Sequence, residues 1–254
     1  MTALLEVDGV SKAYGGLRAL DGASFTVEEG SIAGLIGPNG SGKTTLFNVA
    51  TGYQRPDAGE VRLRSEPVQS LRPDQIFARG VGRTFQLTRI FGRLTVLENM
   101  LVATQRHEGW LRSVVRGAGS QAERDRAREL LDFVGIAQLE SLQAGNLSYG
   151  QRRLLELAYV LVADPQVVLL DEPAGGVNPT LVEHLADRIR ELNRGGKTFL
   201  IVEHDMGFVM DLCVHITVLD QGRVLTTGTP AEVRNDPAVL DAYLGGADDD
   251  EEAA

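Results

Sequence analysis

Gly37-Pro38-Asn39-Gly40-Ser41-Gly42-Lys43-Thr44 is the stretch that decides the reading of this 254-residue chain. It matches the phosphate-binding pattern G-x-x-x-x-G-K-[ST] at every fixed position. Gly37, Gly40 and Gly42 let the backbone bend and bring successive N–H groups close to phosphate oxygens, an approach that a Cβ would obstruct. Lys43 is placed to set its ammonium between β- and γ-phosphates, and Thr44 to offer its hydroxyl to Mg²⁺. Thr45, Leu46 and Phe47 then continue as a helix whose positive end faces the anion. Upstream, Ser31 to Ile36 (S-I-A-G-L-I) is a short apolar run that reads as a buried strand entering the loop. Strand, loop and helix follow one another in the order that nucleotide binding requires.

The length suits one large α/β domain, or a domain with a subdomain, and a substantial core. Hydrophobic residues at 43% and charged residues at 24% are ordinary for a globular protein, and a net charge of −10 argues against nonspecific binding to nucleic acid or anionic lipid. Part of that charge is the block from Asp248 to Glu252, so residues 248–254 are expected to form a solvated, disordered tail. A lone cysteine, Cys213, rules out an internal disulfide and fits a reducing, cytoplasmic setting. No basic segment followed by an apolar stretch opens the chain, and no run approaches the roughly 18 apolar residues of a membrane span. Membrane association is therefore expected to go through a partner.

Leu4 to Val10, Ser24 to Val27 and Glu60 to Leu63 read as strands of a small antiparallel sheet, the first two separated by S-K-A-Y-G-G with Tyr14 inside it. Val81 to Gln86 (V-G-R-T-F-Q) predicts a strand ending in Gln86, and Thr95 with Glu98 a capping box that opens a helix. Residues 105–120 suggest a short amphipathic helix, and Gln121 to Val134 a charged one. In L-S-Y-G-Q, Ser148 is placed as an N-cap ahead of Leu154, Leu155, Ala158, Leu161 and Val162 at helical spacing. Val167 to Asp171 is a strand buried on both faces that ends in a carboxylate, followed at once by Glu172. Asn178-Pro179 opens a helix through Leu192, and Gly195-Gly196 ends it. Thr198 to Val202 carries Glu203, His204 and Asp205 to a strand's carboxyl end, where open α/β sheets place their ligands. A hairpin around D-Q-G-R and short helices near Ala231 and Val239 complete the chain.

The phosphate loop, L-S-Y-G-Q and V-V-L-L-D-E occur in the order and spacing of an ATP-binding cassette (ABC) ATPase, which the chain resembles over nearly its full length. Taken singly, Leu147 to Gln151, Asp171-Glu172 and His204 each have an ordinary explanation: a helix cap, an acidic strand end, a structural histidine. The resemblance implies an α/β fold. It would have a P-loop NTPase core with a mainly parallel central sheet, an antiparallel β subdomain, and a helical subdomain inserted at about 87–163 in an ATPase domain of 1–247. It implies ATP and Mg²⁺ as ligands, with Thr44, Gln86 and Asp171 toward the metal. Glu172 would act as general base or orient the attacking water, His204 would contact the γ-phosphate, and Gln86 would sense metal and water and link to a membrane partner. Tyr14 would stack on adenine, and Ser148, Gly150 and Gln151 would meet ATP held by an opposing subunit.

R-T-F-Q at Arg83, L-T-V-L-E-N at Leu94, E-P-A-G-G-V-N-P at Glu172, E-H-D-M at Glu203 and A-Y-L-G at Ala242 look like the ATPase subunits of branched-chain amino-acid (Liv-type) importers. R-T-F-Q favours the G-type subunit of that pair. Tyr149 departs from the glycine of L-S-G-G-Q, and Asn178 stands where many relatives carry aspartate. The implied partners are a second ATPase subunit, homodimeric or heterodimeric, membrane permease subunits through which the chain would sit peripherally on the inner face of the cell membrane, and indirectly an extracytoplasmic solute-binding protein. Residues 87–93, with Phe91 and Leu94 beside Arg89 and Arg93, would receive a short helix of the permease; otherwise Phe91 tucks into its own helical subdomain. The solute itself is not encoded here, and urea or short amides stay open beside branched-chain amino acids. The rival reading is a soluble ABC ATPase serving no transporter, such as one for iron–sulfur cluster assembly.

Overall fold

The computed structural model describes residues 2–84, 90–104 and 120–244. Gln86, the helix expected at 105–120 up to residue 119, and the acidic tail lie outside the described residues. In chain order the elements begin with β1 (Ala3–Tyr14), β2 (Leu17–Glu28), β3 (Ile32–Ile36), α1 (Lys43–Ala50), β4 (Ala58–Leu63), β5 (Glu66–Pro67), α2 (Pro73–Ala78) and β6 (Val81–Arg83). Next come α3 (Val96–Thr104), α4 (Gln121–Phe133), α5 (Tyr149–Leu161), β7 (Val167–Asp171), α6 (Pro179–Arg194) and β8 (Thr198–Val202). The chain closes with α7 (Met206–Leu212), β9 (His215–Asp220), β10 (Arg223–Gly228), α8 (Pro230–Asn235) and α9 (Pro237–Leu244).

Six strands in the order β10-β9-β3-β8-β7-β6 form the central sheet, parallel except for the β9–β10 hairpin at one edge. A second, antiparallel sheet runs β2-β1-β4-β5. The continuous apolar runs of β7 and β8 follow from layers on both faces. Val167, Leu169, Leu200 and Val202 pack toward α1 and the antiparallel sheet, whereas Val168, Leu170, Phe199 and Ile201 pack toward α3 to α7. Each such side chain, taken out of water, contributes about 1.5–3 kcal/mol. Helix α5 and the central sheet share one of these cores, through Leu154, Leu155, Ala158 and Leu161.

Two boundaries differ from the sequence reading. S-K-A-Y is not a connection but the end of β1, and the turn is confined to Gly15-Gly16, with Tyr14 paired to Leu17. Register shifts at Val7/Val10, Val10/Lys12 and Lys12/Ala13 break the two-residue alternation that would have revealed the strand. There the Ser11 hydroxyl accepts the Gly22 N–H at 2.9 Å, and Asp57 accepts from the Lys12 ammonium and the Ala13 N–H, both at 2.7 Å. Strand β6 stops at Arg83; the Thr84 N–H makes one further bond, to the Leu169 carbonyl at 3.0 Å.

Helix α7 lies close on β3: a Cβ on Gly34 would stand 2.9 Å from Val209 Cγ1 and 3.2 Å from Cys213 Sγ. Cys213 is consequently buried, and burial pushes its thiol up to about 12. Since the thiolate is the reacting species, Cys213 should show no reaction with a disulfide reagent at pH 8 until the chain unfolds. Stoichiometric labelling of the folded chain within minutes would contradict this.

Candidate nucleotide site

The loop from Gly37 to Gly42 leaves the carboxyl end of β3, flanked by β8 and β9. Glycine is required at both ends of it. Gly37 has φ 152° and Gly42 φ 104°; a Cβ would fall 2.0 Å from the Leu219 carbonyl oxygen at the first and 2.4 Å from that of Ala19 at the second. These contacts press the loop against β9 on one side and the β1–β2 hairpin on the other. Asn39, Gly40 and Thr44 stay exposed, with Pro38 and Thr45 half-buried and Ser41 buried. Helix α1 carries no side-chain cap and no acidic residue in its first turn, so its leading amides suit an anion. Lys43 folds back over the loop, donating to the carbonyls of Gly37 at 2.7 Å and Pro38 at 2.8 Å. Burial pushes its ammonium below the usual lysine range, while the nearby carboxylates of Glu172 and Asp171 pull it up.

Asp171, at the end of β7, is nearly buried and accepts from Arg83 at 3.1 Å; its own N–H donates to the Thr84 hydroxyl at 3.2 Å. Arg83 also reaches Asn48 at 2.8 Å and Thr51 at 2.9 Å, joining this carboxylate to the far end of α1. Burial raises the Asp171 pKa, with Arg83 working against it. Removing one member of such a buried pair costs about 3–5 kcal/mol. Glu172 sits in the left-handed region, at φ 47°, with its N–H on the Val202 carbonyl at 2.9 Å. A non-glycine residue there costs about 1–3 kcal/mol, the sort of strain that accumulates at working sites. His204 follows β8 with an exposed ring that lies near Gly175, four residues past Asp171. Lys43, Asp171, Glu172 and His204 thus gather at the carboxyl ends of β3, β7 and β8.

The L-S-Y-G-Q segment forms a full capping box: Ser148 Oγ accepts the Gln151 N–H at 3.3 Å and Gln151 Oε1 accepts the Ser148 N–H at 2.9 Å. Among the described residues no hydrogen bond or ion pair joins either to the loop at 37–44. Gly150 is buried, and a Cβ there would meet Leu181 Cδ2 at 2.0 Å, a packing demand between α5 and α6 that the sequence reading missed. Tyr149 is the first residue of α5, where φ is negative and glycine is not needed. Its ring lies against Gly176, and its hydroxyl accepts from Arg153 at 2.7 Å, with the guanidinium 5.1 Å from the ring centroid. Arg153 also pairs with Glu156 at 3.0 Å, both buried. Tyr14, 44% exposed at the hairpin tip, has the Lys12 ammonium 5.8 Å from its ring centroid.

Phe91 is 51% exposed rather than tucked inward, and its backbone is held by buried Asn99, which accepts the Phe91 N–H at 2.8 Å and donates to its carbonyl at 3.1 Å. Sequence reading also left Glu203 and Arg83 without roles. Arg83 was readable only as part of R-T-F-Q, and a glutamate after an apolar strand carries no local mark of being buried. Among the described residues no helix is long and apolar enough to cross a membrane.

Residues 20–175 match the family described as "ABC transporter", and residues 223–249 match "Branched-chain amino acid ATP-binding cassette transporter". The chain is 43% identical over 252 residues to the high-affinity branched-chain amino acid transport ATP-binding protein LivG of Salmonella typhimurium, covering 96% of this chain and 98% of LivG. Among solved structures it is similar to the ADP conformation of an ATP-binding cassette of an ABC transporter, with a TM-score of 0.87 and 33% identity over 96% of this chain and all of the other. It is also similar to a dimeric cassette in a post-hydrolysis state bound to ADP and Pi, with a TM-score of 0.78 and 26% identity over 89% of this chain and 99% of the other. With its phosphate loop, its strand-end carboxylates and full-length kinship of this degree, the chain belongs to the ABC transporter family of ATP-binding cassettes.

Proposed function

We propose that the chain is the ATP-hydrolysing subunit of an importer for branched-chain amino acids. The observation that carries this reading is the full-length identity to LivG, which the match over residues 223–249 supports. The loop amides of residues 37–45 and Lys43 hold the phosphates, and Tyr14 stacks on adenine. Glu172 takes the proton of the attacking water, the strained turn at its Cα fixing the start of its side chain relative to Lys43. His204 contacts the γ-phosphate from the neighbouring strand end. Thr44, Asp171 and Gln86 would hold Mg²⁺, which when bound neutralises charge on the phosphate oxygens. The carboxylate and hydroxyl oxygens of Asp171 and Thr44 suit a hard cation, and Arg83 keeps the Asp171 carboxylate oriented until one arrives.

Two chains close head to tail, so that Ser148, Gly150 and Gln151 of one meet ATP held by the other, with the α5 N-terminus aimed at its γ-phosphate. Residues 1–247 act as one ATPase domain in which 87–163 is a helical subdomain, followed by a tail. The assembly sits on the cytoplasmic face of the membrane against permease subunits, fed by an extracytoplasmic solute-binding protein. Phe91 is the anchor for the permease, an exposed aromatic on a backbone fixed by Asn99.

Co-purification from detergent extracts and uptake of labelled leucine test the reading together. Phe91→Asp should reduce uptake and permease association by about tenfold or more while ATP binding by the isolated chain persists. Retained uptake and association would remove Phe91 from docking; co-purification of the native chain with a soluble scaffold and no membrane subunit would overturn the transport assignment.

A further inference from the structure

We propose that Glu203 is a positioning residue that clamps the loop carrying Glu172 to the loop carrying His204, so that the two side chains are set as one unit. The inference rests on the reading above that both act at the γ-phosphate. Glu203 directly follows β8 and is fully buried, at 0% exposure. Its Oε1 accepts the N–H of Ala174, two residues past Glu172, at 2.6 Å. Its Oε2 accepts the N–H groups of His204 at 3.1 Å and Asp205 at 3.4 Å, and stands 3.7 Å from His204 Nδ1.

A buried carboxylate is costly unless donors surround it, and here backbone amides from two loops supply them. Strand pairing alone brings the loops only as far as Asp171 opposite Val202 and the Glu172 N–H on the Val202 carbonyl. Past that point no further backbone hydrogen bond joins the two loops among the described residues, and the Glu203 side chain carries the connection onward. The His204 ring is 62% exposed, so its placement depends on the backbone that Glu203 holds. A carboxylate is acceptor-only and satisfies all three N–H groups at once; the amide of glutamine must turn its NH₂ toward one set of them.

The test uses the full-length chain in the complex in which it hydrolyses ATP. Glu203→Gln should lower kcat by about tenfold or more, the scale of a lost hydrogen bond to a charged group, with the Kd for ATP changed less than about threefold. Because Glu203 sets Glu172 and His204 as one unit, the double variant Glu203→Gln/His204→Ala should keep more kcat than the product of the two single losses predicts. Wild-type kcat in Glu203→Gln, or losses that multiply in the double variant as for a merely structural residue, would overturn the proposal. Wild-type kcat in His204→Ala would instead overturn the reading of His204, and the clamp with it. Should Glu203→Gln fail to fold, amide exchange of the unaltered chain decides: the N–H groups of Ala174 and His204 should exchange slowly although both lie in loops, and exchange at free-peptide rates would reject the clamp.

Discussion

Glu172→Gln should leave ATP binding intact while slowing hydrolysis by about 10²-fold or more, the usual scale for loss of a general base. The amide keeps the length of the side chain and accepts no proton. Its backbone demand is unchanged as well: the left-handed turn at φ 47° is held by the bond to Val202 and suits glutamine as well as glutamate. A fall in turnover therefore reports chemistry rather than folding. Steady-state ATPase of the assembled complex, beside an ATP titration, measures both quantities. Turnover at the native rate would remove Glu172 from the role of base.

Lys43→Ala should have the opposite profile, with ATP affinity itself falling by about 10- to 100-fold. The ammonium pairs with phosphate in the ground state as well as the transition state, so its loss appears in binding first. Its two bonds to the carbonyls of Gly37 and Pro38 vanish too, which removes a brace across the loop before any nucleotide arrives. Burial depresses the Lys43 pKa, and the neighbouring carboxylates of Glu172 and Asp171 oppose that shift. Normal affinity in calorimetric titration of the variant would contradict this role.

Elements whose pattern is enforced by burial were legible in the sequence. Strands β7 and β8 have apolar layers on both faces, and their runs ended where the chain reads Asp171 and, after Val202, Glu203. Helix starts were equally plain, because Thr95, Ser148 and Asn178 each bond the amide three residues on. The end of β1 was not legible: its register shifts destroy alternation, and its Lys12 and Ser11 side chains bond Asp57 and Gly22, 45 and 11 positions along the chain. The same limit applies within the site. The loop at 37–44 announces itself because its chemistry lies in consecutive residues. The bond from Arg83 to Asp171 spans 88 positions and that from Ala174 to Glu203 spans 29, so only the sheet brings the partners together. Gly150 was read for its place in L-S-Y-G-Q, yet the side chain that fills its space, Leu181, belongs to another helix.

Tyr149 and Gly176 constrain each other's substitution. A Cβ at Gly176 would stand 3.3 Å from the tyrosine ring, on a backbone at φ 68° that side chains rarely adopt. Conversely, Tyr149→Gly would deprive the buried Arg153 guanidinium of its hydroxyl partner and of the ring beside it. Neither position is free to drift by itself. Removing the ring would open space over Gly176 yet leave its left-handed backbone, so glycine is demanded there by conformation as well as by the tyrosine.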